Sequence, residues 1–305
     1  MTRFRVIDLM PRFFAFWDST QIGGAGTTDR QALVDAFRAE VITPQQSFYD
    51  RAAGDIPDER IAKYLDDVGP DVPDMRAISK RISKDLERHV RSFSDSFPDF
   101  HYDGRVYFYP SLYVRDGGTM TVDGTTAIMF GVDMIARLNG ADVDLAVLLH
   151  HELFHLYHSS QLRALTGPQP LYRQIWREGL ATYVSLRLNP KRSELEALLR
   201  DSTLAAEGPA LMPVLAHEML EHLDDTSPSY AHAWLTARRI RDDVPPRSGY
   251  LLGLRIAQML GTGRSVTELA RLDGPELRGR VEQVLRVLAI GAELAPAGGG
   301  WTDTP

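Results

Sequence analysis

The chain has 305 residues and no cysteine. That excludes a disulfide framework and any thiolate metal site, so every metal ligand must be a nitrogen or oxygen donor. There is no basic surplus either. Lys and Arg total 34 against 41 Asp and Glu, a net charge of −7, which disfavours nucleic acid as a partner because generic binding needs a basic face. Only four of the 34 basic residues are lysines: Lys63, Lys80, Lys84 and Lys191. Long hydrophobic runs are missing as well. Phe13-Phe14-Ala15-Phe16-Trp17 is far too short to span a bilayer. Asp8 interrupts the opening segment before a secretory apolar run can form. The expectation is a protein with no membrane span and no nucleic-acid partner, cytoplasmic by default.

What is present suffices for a substantial core. Apolar residues make up 44% of the chain, and its length fits one large domain or two modest ones. Residues 1–100 read as a helical N-terminal region. Thr28-Asp29-Arg30-Gln31 opens like a capping box, Pro57 to Leu65 is a short helix, and a single longer helix is expected from about Pro73 to Phe93. The texture then changes. Arg105 to Tyr109 is β-branched and aromatic, and Met120–Val122 and Thr126–Phe130 flank Asp123-Gly124, a hairpin-turn signal. Helical spacing returns in 193–290 over Glu194–Leu204, Leu211–Leu223, Tyr230–Arg241, Leu251–Leu260 and Glu276–Ile290. Residues 293–305, with Gly298-Gly299-Gly300, read as a disordered tail.

The chemistry concentrates in His150-His151-Glu152-Leu153-Phe154-His155, which contains His-Glu-x-x-His. On a helix, His151 and His155 are one turn apart and point the same way. Two imidazoles so placed can hold one zinc ion, and Glu152 is positioned to act on a zinc-bound water rather than to ligate. The context is helical. Asp142 or Asp144 serves as N-cap, and Leu145, Leu148, Leu149, Leu153 and Leu156 give an apolar face opposite a polar face bearing His151 and His155. Catalytic zinc sites usually take three protein ligands and leave one position for water. Trp176-Arg177-Glu178-Gly179-Leu180-Ala181-Thr182-Tyr183 lies on a second helix between Pro170 and Asn189-Pro190, and Glu178 is its candidate third ligand. His158, seven residues after His151, competes for that place, although a position behind the ligands or at the surface suits it better. His150 faces about 100° away from His151 and reads as structural. His217 and His222 are five apart and diverge on a solvated helix.

His-Glu-x-x-His followed by a helix bearing Glu-Gly-Leu-Ala-x-Tyr resembles the gluzincin metallopeptidases. The resemblance is strong over about forty residues and loose over 101–290. It implies that His151, His155 and Glu178 bind zinc and that Glu152 is the general base. It also implies a zincin-like region at 101–292, with a small, mainly antiparallel sheet and the active-site helix, so the fold class is α+β with largely helical N- and C-terminal parts. In such a fold a sheet edge commonly pairs with an extended substrate backbone, and 119–131 is the candidate edge. Gluzincins commonly add an oxyanion-stabilising Tyr or His from a downstream helix, and Tyr250 or Arg247 in Pro245–Gly253 fits that place. The Gly-x-Met-Glu-Asn signature of aminopeptidases has only Gly118-Thr119-Met120-Thr121-Val122 as its nearest counterpart, without the Glu. At the metzincin positions stand His158 and Gln161. The implied activity is zinc-dependent endopeptidase cleavage of a peptide or protein substrate. The alternative is a non-catalytic, zinc-containing peptide- or partner-binding protein, which has no use for Glu152.

Overall fold

The structure, a computed structural model, describes residues 3–22, 29–122, 124–141, 144–162, 167–198 and 201–291. It is a mixed α/β protein, mostly helical, with one four-stranded sheet among the described residues. The chain divides into two compact units, one ending at Glu152 and one beginning at Leu153.

In the first unit, β1 (Arg3–Asp8) leads into α1 (Met10–Ile22), α2 (Arg30–Phe37), α3 (Gln46–Ala52), α4 (Asp58–Val68), α5 (Val72–Ser79) and α6 (Ile82–Ser96). Then come β2 (Asp103–Tyr109), β3 (Gly117–Val122), β4 (Thr125–Gly131) and α7 (Val132–Asn139). The N-cap of α2 is Asp29, whose carboxylate accepts from the Gln31 and Ala32 amides; Thr28 lies outside the described residues. Phe13, Phe16, Phe37 and Tyr64 form an aromatic cluster, with ring centroids 5.3 Å apart for Phe16–Phe37 and 5.9 Å for Phe37–Tyr64. The helix expected over 73–93 is two, broken at Lys80-Arg81. No Gly or Pro marks the break. Arg81 is instead tied to the Ala141 carbonyl at 2.9 Å and to Asp85 at 2.5 Å, so a tertiary contact overrides the local periodicity.

The strand order is β1-β2-β4-β3. β1–β2 and β2–β4 are parallel, and β3–β4 is antiparallel. The expected mainly antiparallel sheet is therefore corrected: two of the three pairings are parallel. The Asp123-Gly124 signal falls between the two antiparallel strands, where Val122 faces Thr125; Asp123 itself lies outside the described residues. Parallel pairing closes through a long crossover and leaves no local turn signature. The stretch expected to be mostly helical also supplies β1, an exposed edge strand. The candidate edge 119–131 also divides, because β3 is the outer strand and β4 is interior. β2 and β4 are nearly continuous apolar runs, as strands covered on both faces should be. Phe108 and Phe130 stack on one face at 5.8 Å. Tyr107 and Tyr109 occupy the other face, against Phe48 of α3, at 4.4 and 5.0 Å.

α8 (Ala146–Gln161) runs across the division between the units. The second unit continues with α9 (Leu171–Leu188), α10 (Glu194–Ala197), α11 (Ser202–Glu207), α12 (Met212–Glu221), α13 (Pro228–Leu235), α14 (Ser248–Leu260), α15 (Val266–Ala270) and α16 (Gly274–Ala289). Residues 293–305, expected to be a disordered tail, lie outside the described residues. α9 and α14 cross at two glycines. A Cβ on Gly179 would sit 2.1 Å from the Gly253 carbonyl carbon, and one on Gly253 would sit 2.5 Å from the Ile175 carbonyl oxygen. Only backbone fits between these helices. Gly179→Ala is thus expected to lower unfolding stability by about 2 kcal/mol or more, since overpacking against backbone cannot relax by a rotamer change. Urea denaturation measures this, and an unchanged midpoint would refute so close a crossing.

Candidate metal centre

α8 begins where Asp144 caps it, Oδ1 accepting from the Ala146 amide at 2.9 Å. Of the two expected caps, Asp142 lies outside the described residues. The expected division into an apolar and a polar face does not hold. Every side chain from Leu149 to His158 is buried, the imidazoles included. A helix buried all round needs a reason for its polar residues. His150, Glu152, His155 and His158 are each at most 5% exposed, and His151 is 9% exposed.

Two of these are structural. His150 Nε2 lies 3.0 Å from Ser92 Oγ of α6, and its ring stands edge-on to His89 at 5.0 Å. Burial, then the neighbouring His89, pushes the His150 pKa down to about 4, so this imidazole is neutral at physiological pH. The structural reading of His150 agrees with these contacts. His89, unremarkable in the sequence, is its packing partner. His158 is not a surface residue. It is buried with its ring 5.6 Å from Phe154, and Nε2 has no hydrogen-bond partner among the described residues. Burial, then His155, holds its pKa down to about 3. His217 is exposed on α12, as expected of a solvated segment.

The remaining residues converge. His151 and His155 stand one turn apart on α8, and Glu178 projects from α9, which Pro170 precedes and Asn189 closes. His155 Nε2 lies 3.2 Å from Glu178 Oε2. One donor atom from each of His151, His155 and Glu178 lies within 4.8 Å of the others, the one such group of three among the described residues. Three donors held ~2.1 Å from one ion at tetrahedral angles lie ~3.4 Å apart, so the 3.2 Å pair has nearly the required spacing. Two imidazole nitrogens and a carboxylate oxygen suit zinc and leave a fourth position for water. His158 is not in the group. Tyr250 is a half-buried residue in the first turn of α14. Arg247, its N-cap, has a left-handed backbone with φ +60.

Glu152 does not belong to the donor group. Its carboxylate lies against the head of β3: a Cβ on Gly117 would meet Glu152 Oε1 at 2.7 Å and Leu148 Cδ1 at 3.1 Å. Gly117 faces Phe130 across the ladder, and cross-strand partners share a face. The Phe108–Phe130 face of the sheet is therefore the one that meets α8. The strand begins at Gly117, two residues ahead of the expected edge 119–131. Paired glycines at the head of a strand were the available signal, since they permit close backbone approach.

No known family model, curated protein or solved structure matches this chain. One equivalent of Zn²⁺ is expected to bind the purified apoprotein, as read by isothermal titration calorimetry. His155→Ala and Glu178→Ala should each weaken binding by more than about 100-fold, since even outer-shell partners cost 10–100-fold. His217→Ala should leave it unchanged. Full retention of zinc by Glu178→Ala would remove that residue from the site.

Proposed function

We propose that the protein is a zinc-dependent peptide hydrolase of the gluzincin type, acting as an endopeptidase on peptide or protein substrates. The observation that carries this reading is a buried carboxylate, Glu152, beside a His-His-Glu donor group and against the edge of the sheet. Its resemblance to His-Glu-x-x-His plus distal Glu supports the same assignment. His151, His155 and Glu178 would hold the ion. When bound, zinc supplies Lewis acidity, acidifying a water and polarising the scissile carbonyl.

The protein's own groups do the rest. Glu152 takes the proton from the attacking water and delivers it to the leaving amine, the general acid–base role worth roughly 10²–10⁴ in rate. Its burial keeps bulk water from competing for that proton. β3 offers its outer edge to an extended substrate backbone. That pairing fixes the peptide by main-chain hydrogen bonds and accepts many side chains. Tyr250 is assigned to the oxyanion, where one positioned donor contributes roughly 10²–10³ in kcat.

Glu152→Gln is the decisive variant. It should cut hydrolysis of a casein or mixed-peptide substrate to about 1% of the wild-type rate or less while zinc content stays at one per chain. Undiminished cleavage would sink the general-base role. A wild-type protein that holds zinc and binds peptides without cleaving them would establish the non-catalytic alternative instead.

A further inference from the structure

The chain must carry β3 past the end of β4 to reach the outside of the sheet, and the connection 110–116 is held in an unusual way. Leu112 and Tyr113 both have left-handed backbones, with φ +54 and +58. L side chains disfavour that conformation, and two in succession persist only where the surroundings over-determine them. Here the surroundings centre on one carboxylate. Asp133, at the second position of α7, is fully buried. Its Oδ1 accepts from the Ser111 amide at 2.8 Å and the Ser111 hydroxyl at 2.8 Å, and its Oδ2 accepts from the Tyr113 amide at 3.0 Å. Amides turned inward by left-handed residues make a concavity suited to an anion, and the N-terminus of α7 favours the same charge. Burial pushes the carboxyl up, and the Ser111 and Tyr113 amides oppose that shift. Tyr64 of α4 closes the pocket, its hydroxyl approaching Asp133 without completing a hydrogen bond of normal geometry.

The clamp has an outer and a downstream part. The Tyr113 ring lies 3.5 Å beneath the Arg137 guanidinium, its hydroxyl donates to Asp71, and Arg137 Nε reaches the same Asp71 oxygen at 3.0 Å. The loop then passes over the end of β4. A Cβ on Gly131 would lie 2.0 Å from the Arg115 carbonyl oxygen, and the Gly131 amide donates to the Asp116 carbonyl at 3.0 Å. The next residue is Gly117, against Glu152.

We propose that Asp133 is a positioning residue of the site: by holding the left-handed Leu112-Tyr113 turn, it sets where the β3 edge runs relative to Glu152. This rests on the reading of β3 as the substrate-pairing strand. Asp133 touches neither substrate nor ion. It acts through the loop, and the mechanism above has no other use for so costly a buried carboxylate.

The test is Asp133→Asn in the full chain, which keeps the shape and removes one acceptor. Hydrogen–deuterium exchange should accelerate at least tenfold in 111–122, with β1 and β2 unchanged and zinc affinity unaltered. KM for an extended peptide should rise at least tenfold, with kcat within threefold of wild type. Adding Leu112→Gly, which takes the left-handed turn without penalty, should restore both. Gly131→Ala displaces the loop without touching Asp133 and should reproduce the exchange pattern. It carries the test should Asp133→Asn not fold. Unchanged exchange in 111–122, or a rise spread evenly over the unit that Leu112→Gly does not reverse, overturns the proposal. The exchange result stands whether or not wild type cleaves peptides, so a failure here is distinct from a failure of the peptidase reading.

Discussion

Four imidazoles and a carboxylate lie out of water within a single stretch of α8, from His150 to His158, and this governs the rest of the site. An isolated buried charge costs too much to persist, so such groups become neutral, pair, or ligate. The structure divides them along those lines. His150 and His158 are driven neutral by burial. His151 and His155 meet Glu178 in a spacing that one ion can bridge. Glu152 is buried beside the donor group without belonging to it.

Glycine sets the close approaches that the site depends on. Gly117 lets the edge strand run against Glu152, Gly131 lets the loop cross over β4, and Gly179 with Gly253 lets α14 lie against the backbone of α9. Gly179 directly follows Glu178. The rotation of α9 that aims this carboxylate is thus locked one residue away, by a contact with no side chain to adjust. Rigid backbone contacts of this kind hold ligands within the small tolerances that a metal site needs.

Much of this was legible in the sequence, for identifiable reasons. The His151–His155 spacing is a property of the helix alone, and the α8 and α9 helices carry strong local signals at Asp144, Pro170 and Asn189. The β3–β4 hairpin is announced by its turn. What escaped is non-local. β1 pairs with a strand far along the chain, the break between α5 and α6 depends on Arg81 reaching Ala141, and the full burial of α8 depends on neighbours that periodicity does not reveal. Asp133 reads in sequence as an ordinary acid in the first turn of a helix. Only its three loop donors mark it out.

The connectivity of the sheet also orders its assembly in time. β3 and β4 are separated by only two residues of sequence, whereas β1 reaches β2 only with all of residues 9–102 between them. Loop closure grows as (3/2)RT ln n, which makes the second closure more costly by ~3 kcal/mol. Non-local pairings of this kind form late in folding. The hairpin that borders Glu152 is then an early structure and β1 a late one, so the half of the sheet nearest Glu152 takes shape before its far margin has docked.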